Sequence, residues 1–228
     1  MITKDIAFLW DLMLHPGKAS RRSGSVEKTL KLYYTLALVP FVLYLVIGFL
    51  LSTYGSLAVM RYLPFVHVPL LATASYVTVL VSAILLFFVI VPIAIAIDAF
   101  VYQVIGRNLL NAWNGDYAKT FTAVTYAVLP VMFFYWLLLL PVLNGLSLLI
   151  LPIWALVILI ISLATQQKVK RTEAGIVAVL SWIFKAVFMV LLASSVLVSI
   201  ASILGTLVGQ YVPGMHVGAG SAVIGAYP

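Results

Sequence analysis

The chain of 228 residues contains no cysteine. That removes a disulfide framework, a thiolate nucleophile and any cysteine-ligated metal. Charge is scarce too. Asp, Glu, Lys and Arg make up only 8% of the residues, against about a quarter in a soluble domain. The six acids, Asp5, Asp11, Glu27, Asp98, Asp116 and Glu173, are scattered, so no carboxylate pair stands ready for acid–base chemistry. His15, His67 and His216 fall in separate segments, too few together to close a metal site. Neither a nucleophile elbow nor a glycine-rich phosphate loop occurs. These absences argue against an enzyme, and no metal or cofactor is expected.

Apolar residues are what the chain has in excess. They form 64% of it, and the mean hydropathy is +1.20. A soluble fold of this size cannot hide so much apolar surface, so the expected solvent is a bilayer. The predicted fold is all-α: a polytopic membrane protein, a bundle of five transmembrane helices with an N-terminal interfacial helix. The predicted spans cover about 32–52, 70–97, 121–143, 147–165 and 174–206. Each approaches or exceeds the ~20 residues that cross ~30 Å of hydrocarbon. "NGLS", Asn144 to Ser147, reads as the tight turn between the third and fourth. The predicted organisation is a cytoplasmic helix and basic segment over 1–31, the five-span domain over 32–206, and an external Gly-rich tail over 207–228. The first 31 residues are too polar and too long before the first apolar run for a simple cleaved signal peptide. Neither end carries a lipidation box.

The net charge of +7 does not point to nucleic acid, because the cations sit in short gaps between apolar runs. Lys4, Lys18, Arg21, Arg22, Lys28 and Lys31 precede the first span, and Arg61 follows it. Arg107 and Lys119 fall in the third gap, and Lys168, Lys170 and Arg171 in the fifth. With five spans this is an eleven-to-one split between the two sides. By the positive-inside tendency the N-terminus is cytoplasmic and the C-terminus external. The expected location is an integral protein of the cell membrane. Pro40, Pro92, Pro130, Pro141 and Pro152 lie within or at the ends of spans and read as kinks.

In "ITKDIAFLWDLMLHPGKASRR", Ile2, Ile6, Leu9, Trp10, Met13 and Leu14 recur at helical spacing and Pro16-Gly17 ends the run. Lys18, Arg21, Arg22, Lys28 and Lys31 are candidate lipid-headgroup contacts. Lys185, the thirteenth cation, lies 11 residues beyond Ala174 and so roughly 16 Å into the last span. An intramembrane charge is expensive and faces protein or water unless it snorkels to the surface. Asp98 and the Tyr126 carbonyl, freed by Pro130, are its candidate partners. If the second helix continues, Gln103, Arg107 and Asn111 share one face and Asp98 points the opposite way. Ala193, Ser194, Ser195, Ser199, Ala201, Ser202 and Gly205 offer a small-residue packing face, for another membrane protein or a second copy of the chain.

"AFVYQVIGRNLLNAWNGDYAKTFTAVTYAVLP", residues 99–130, resembles the central pattern of Yip-domain (Ypt-interacting protein) membrane proteins. Gly106–Arg107, Gly115, Phe121, Ala127 and Pro130 fit it. "LPIWALVILIISLATQQKVKRTEAGIVAVL" is similar to the family's fourth span, polar gap and Ala-rich last span. "LWDLMLHPGKASR" resembles its N-terminal segment, without the aromatic that the family has there. The resemblance covers most of residues 8–195. It implies five spans and a cytoplasmic N-terminus. Eukaryotic relatives bind prenylated Rab-type GTPases and serve vesicle traffic. Their long N-terminal region and Asp-Leu-Tyr-Gly-Pro signature have no match here, so the chain resembles the short prokaryotic type and that role is not carried over.

Two functional readings follow. The first is a non-enzymatic membrane adaptor or accessory subunit. Its cytoplasmic surface would include Arg107, Asn111, Trp113, Asp116, Lys119, Lys168, Lys170 and Arg171. The second is a small transporter or channel component using Lys185, Asp98 and the proline-broken spans.

Overall fold

A computed structural model gives an all-helical chain. It describes residues 2–22, 24–62 and 68–211, with side chains for 3–22, 24–55, 75–140, 143–200 and 202. The order is α1 (Ile2–Leu14), α2 (Pro16–Ala19), α3 (Val26–Tyr62) and α4 (Val68–Leu85). A π-helical turn (Leu86–Ile90) leads into α5 (Val91–Gln103), and a second (Val104–Leu109) leaves it. Then come α6 (Tyr117–Phe133), a 3-10 turn (Tyr135–Leu139), α7 (Pro141–Gln167) and α8 (Arg171–Tyr211). Among the described residues there is no strand.

Among the described residues, four stretches are long and apolar enough to cross a membrane: Val26–Gly55, Ser75–Leu109, Leu143–Gln167 and Arg171–Ile200. They match the first, second, fourth and fifth predicted spans. Their outer faces are greasy: Leu149 is 69% exposed and Ile153 63%. A surface of that kind needs lipid or a partner against it. The residues fall into two compact units, Met1–Ser181 and Trp182–Pro228.

In the first unit α3 and α4 run antiparallel. Gly48 permits the approach, since a Cβ there would stand 2.7 Å from Val79 Cγ1. One end is fixed by the Thr53–Tyr76 hydroxyl pair at 2.7 Å. Toward the other end, Pro92 supplies no N–H to the turn before it, and the helix widens into the π turn. The Tyr33 hydroxyl donates to the Phe87 carbonyl there at 2.7 Å. Phe87 itself is buried against Phe41, Tyr44 and Tyr135.

α6 is the most buried helix of the first unit, packed by α3, α5 and α7. Every residue from Thr120 to Ala127 is buried, as are Leu129, Pro130 and Met132. Its 17 residues span only about 26 Å, and the 3-10 turn carries the chain on to α7. The expected turn at Asn144–Ser147 is corrected here, because those residues lie inside α7. The break comes at Leu140, extended at φ −94° and ψ 113°. A residue before proline is pushed out of the α region, and proline suits a helix's first turn, so Pro141 starts the helix. Gly145 is tolerated within it, with nothing near its Cβ position.

α1 buries Phe8, Leu9 and Leu12 and exposes Trp10 and Leu14. Phe8 packs against the Tyr126 ring at 5.2 Å. In the second unit the large apolar side chains from Trp182 to Ile200 are exposed. The Ser194, Ser195 and Ser199 hydroxyls there donate to carbonyls of their own helix. The predicted tail from 207 begins inside α8; residues 212–228, His67 and His216 lie outside the described residues.

Candidate functional site

Most of the buried polar side chains of the first unit gather at one end, around the elbow Leu110–Asp116 between α5 and α6. The second π turn carries the chain into it. Leu110 N–H donates to the Ile105 carbonyl at 3.0 Å and Ala112 N–H to the Gly106 carbonyl at 2.7 Å. Asn111 takes the left-handed conformation, φ 48°, which Asn tolerates better than most side chains. Asp116 caps α6, its side chain accepting from Lys119 N–H at 3.2 Å.

Trp113 folds back over the preceding turn, and Gly106 makes the room. A Cβ on Gly106 would stand 2.1 Å from the indole. Gly115 plays the same part under Gln167, whose Oε1 would lie 1.6 Å from its Cβ. Gln103 links these pieces. Its Nε2 donates to the Gly115 carbonyl at 2.8 Å, and its Oε1 accepts from Trp113 Nε1 at 3.4 Å and from the Thr120 hydroxyl. Thr120 in turn accepts from Gln167 Nε2 at 2.8 Å. The end of α5, the elbow, the start of α6 and the end of α7 are thus joined by one chain of amides and hydroxyls.

The N-terminal segment joins the same end. Gln166 Nε2 donates to the carbonyls of Ser20 at 2.6 Å and Arg22 at 3.0 Å. The Ser20 and Ser162 hydroxyls pair at 2.7 Å, and those of Thr29 and Thr122 at 3.0 Å. The Tyr126 hydroxyl also donates to the Arg22 carbonyl. The Arg22 guanidinium lies 5.0 Å above the Phe8 ring, a cation–π contact. The Tyr117 hydroxyl donates to the Ala96 carbonyl at 2.9 Å.

Arg107, Asn111, Asp116, Lys168, Lys170 and Arg171 are exposed, and Lys119 is half-buried. Asn111 shares a shallow pocket of about 340 Å³ with Glu173 and Ile176, so the elbow and the start of α8 form one patch. Trp113 is a correction: at 3% exposure it supports the surface from beneath. The expected face of Gln103, Arg107 and Asn111 is corrected as well. Gln103 is buried, the π turn resets the helical spacing, and Asn111 lies beyond the helix. Lys18, Arg21, Arg22, Lys28 and Lys31 are all exposed.

Asp98 does not end its helix. It lies within α5, half-buried, in the first unit. Lys185 lies in α8, half-buried, in the second. Among the described residues no three His, Asp or Glu side chains converge on a metal-sized space. Sequence reasoning missed Ser20, Thr29, Thr120, Thr122, Ser162, Gln166 and Gln167 as network members. Their signal was polarity at the edges of apolar runs, as in "TFT" and "ATQQ". Compared with protein-family models, curated proteins and solved structures, the chain matches none.

Proposed function

We propose that the protein is a non-enzymatic membrane adaptor or accessory subunit of five spans, similar in plan to short Yip-domain proteins. One observation carries the reading: the network joins the three segments that hold eleven of the thirteen cations. Segments that meet at one end of a helical bundle share a side of the membrane. The eleven-to-one charge split asks for that sharing. In this reading α6 and the 3-10 turn make the third crossing, α1 rests at the cytoplasmic interface, and the C-terminus is external. The working surface comprises Arg107, Asn111, Asp116, Lys119, Lys168, Lys170 and Arg171. A buried, hydrogen-bonded floor holds it in one shape, which lowers the ordering cost of binding.

The cysteine-free chain is a ready background for the test. Single cysteines at Asn111 and Lys170 should react with an impermeant maleimide only from the cytoplasmic side. A photo-cross-linker at Arg107 in native membranes should give one discrete protein adduct. The triple change Lys168→Glu, Lys170→Glu, Arg171→Glu should abolish that adduct without altering insertion. Labelling of the two cysteines from opposite sides would overturn the topology. An adduct that survives the charge reversal would overturn the surface.

A further inference from the structure

The start of α3 carries a feature that the elbow surface does not use. Glu27, Leu30, Lys31, Tyr34, Thr35 and Leu38 form one wall of a groove of about 540 Å³, and Phe88 of the first π turn forms the other. That volume lies in the range of small-ligand sites, about 300–1,000 Å³. The groove is polarised along its length. Its charged residues, Glu27 and Lys31, occupy the first two turns of the helix. Leu38 lies about 16 Å further along from Glu27, beside Phe88, which stacks on Tyr34 with ring centroids 6.2 Å apart. A charged mouth opening onto an apolar channel on a membrane-crossing helix has the polarity of a phospholipid.

The charges select the headgroup. Glu27 and Lys31 stand at i and i+4, with the acid N-terminal, the spacing at which such residues ordinarily pair. Glu27 and Lys31, both among the described residues, form no ion pair with each other here. Both side chains are exposed and line the groove. An anion and a cation one helical turn apart complement a ligand that carries both signs close together. We propose that this groove holds a phospholipid with an ethanolamine headgroup. Lys31 donates to the phosphate oxygens. Glu27 accepts from the ammonium two carbons away, and the acyl chain lies along Leu30, Leu38 and Phe88. A choline headgroup has no N–H to give Glu27. A glycerol headgroup brings no cation, and its phosphate is repelled by the carboxylate. The inference is independent of the adaptor reading and needs only that α3 crosses a bilayer.

The test uses the full chain, delipidated in detergent. It is offered equimolar phosphatidylethanolamine, phosphatidylcholine and phosphatidylglycerol of matched acyl chains, and the retained lipid is counted by native mass spectrometry. The ethanolamine lipid should be retained on the order of tenfold over either competitor, the factor one charge-assisted hydrogen bond supplies. Glu27→Gln should erase that preference, and Glu27→Lys should turn it toward phosphatidylglycerol. Lys31→Ala should lower retention of all three. Lys168→Ala, away from the groove, should leave the order unchanged. Equal or greater retention of phosphatidylglycerol by the parent chain would overturn the proposal, as would a headgroup order indifferent to both Glu27 changes. A change in that order with Lys168→Ala would also overturn it. Melting temperatures of the variants separate a lost site from a lost fold.

Discussion

Replacing Gln103 by leucine is the sharpest test of the network. The side chain is 9% exposed and serves three partners. Its loss strands the Gly115 carbonyl, the Trp113 N–H and the Thr120 hydroxyl. An orphaned buried polar group costs about 1–3 kcal/mol. The Gly115 bond, at 2.8 Å, belongs mid-range. The Trp113 bond is long at 3.4 Å and belongs at the bottom. The Thr120 hydroxyl still accepts from Gln167 and can turn to a carbonyl of its own helix, so it is also cheap. Against these losses leucine gains roughly 1 kcal/mol of apolar burial. The net is a loss of about 2–3 kcal/mol, or a melting temperature lower by about 5–10 °C for a chain of this size.

The assay is thermal unfolding of the reconstituted protein, with amide exchange over residues 110–116 as the local readout. A second comparison isolates cooperation between the residues. Gln103→Leu, Thr120→Val and Gln167→Leu made together remove most of the polar chain at once. They should cost clearly less than the sum of the three single changes. A Gln103→Leu protein that inserts normally and melts within about 1 °C of the parent would refute the network as a structural tie. Strict additivity of the three changes would refute its cooperation.

Tyr33→Phe removes the donor to the Phe87 carbonyl; it should destabilise by about 1–3 kcal/mol, seen as a lower melting temperature with unchanged helix content. Gly106→Ala must push the Trp113 ring aside and should cost about 1–3 kcal/mol. Trp113→Phe in the same chain should recover part of that loss, and tryptophan fluorescence of the single variant should report a more solvated indole. Lys168 caps α7 in the left-handed conformation, φ 57°. Lys168→Gly should therefore raise stability by up to about 1 kcal/mol, and no gain would mean that the lysine side chain contributes what the conformation costs.

Much of the helical plan was legible in the sequence, because a bilayer leaves a chain few options. Backbone groups must bond internally, so long apolar runs become helices. The grouping of cations was equally readable, since it needs only an ordered chain. What failed was local arithmetic where special turns intervene. Asn144–Ser147 carries a real turn signal, but Pro141 just before it fixes the helix start more firmly. The face through Gln103, Arg107 and Asn111 assumed regular spacing, and the π turn at Val104–Leu109 breaks it. Trp113 looked like a surface residue because nothing local reveals that Gly106 leaves a hollow for its ring. Gln166 meets Ser20 and Arg22 across some 145 residues of chain, a contact that no window of sequence contains.

These misses share a cause that also bears on how the fold is specified. Apolar side chains gain little by leaving lipid for protein, so they place helices in the membrane without saying which helix meets which. Pairing has to come from shape and from polar groups that lipid cannot satisfy. The buried polar side chains of the first unit suit that task. Ser20, Thr29, Gln103, Thr120, Thr122, Ser162, Gln166 and Gln167 are buried, and each bonds across elements rather than only within its own helix. The apolar majority therefore sets where the chain resides, and a polar minority sets how its segments meet. That minority concentrates at the end where the cations are. The residues that fix the fold thus also form the floor beneath the surface proposed to work, and a change in one should register in the other.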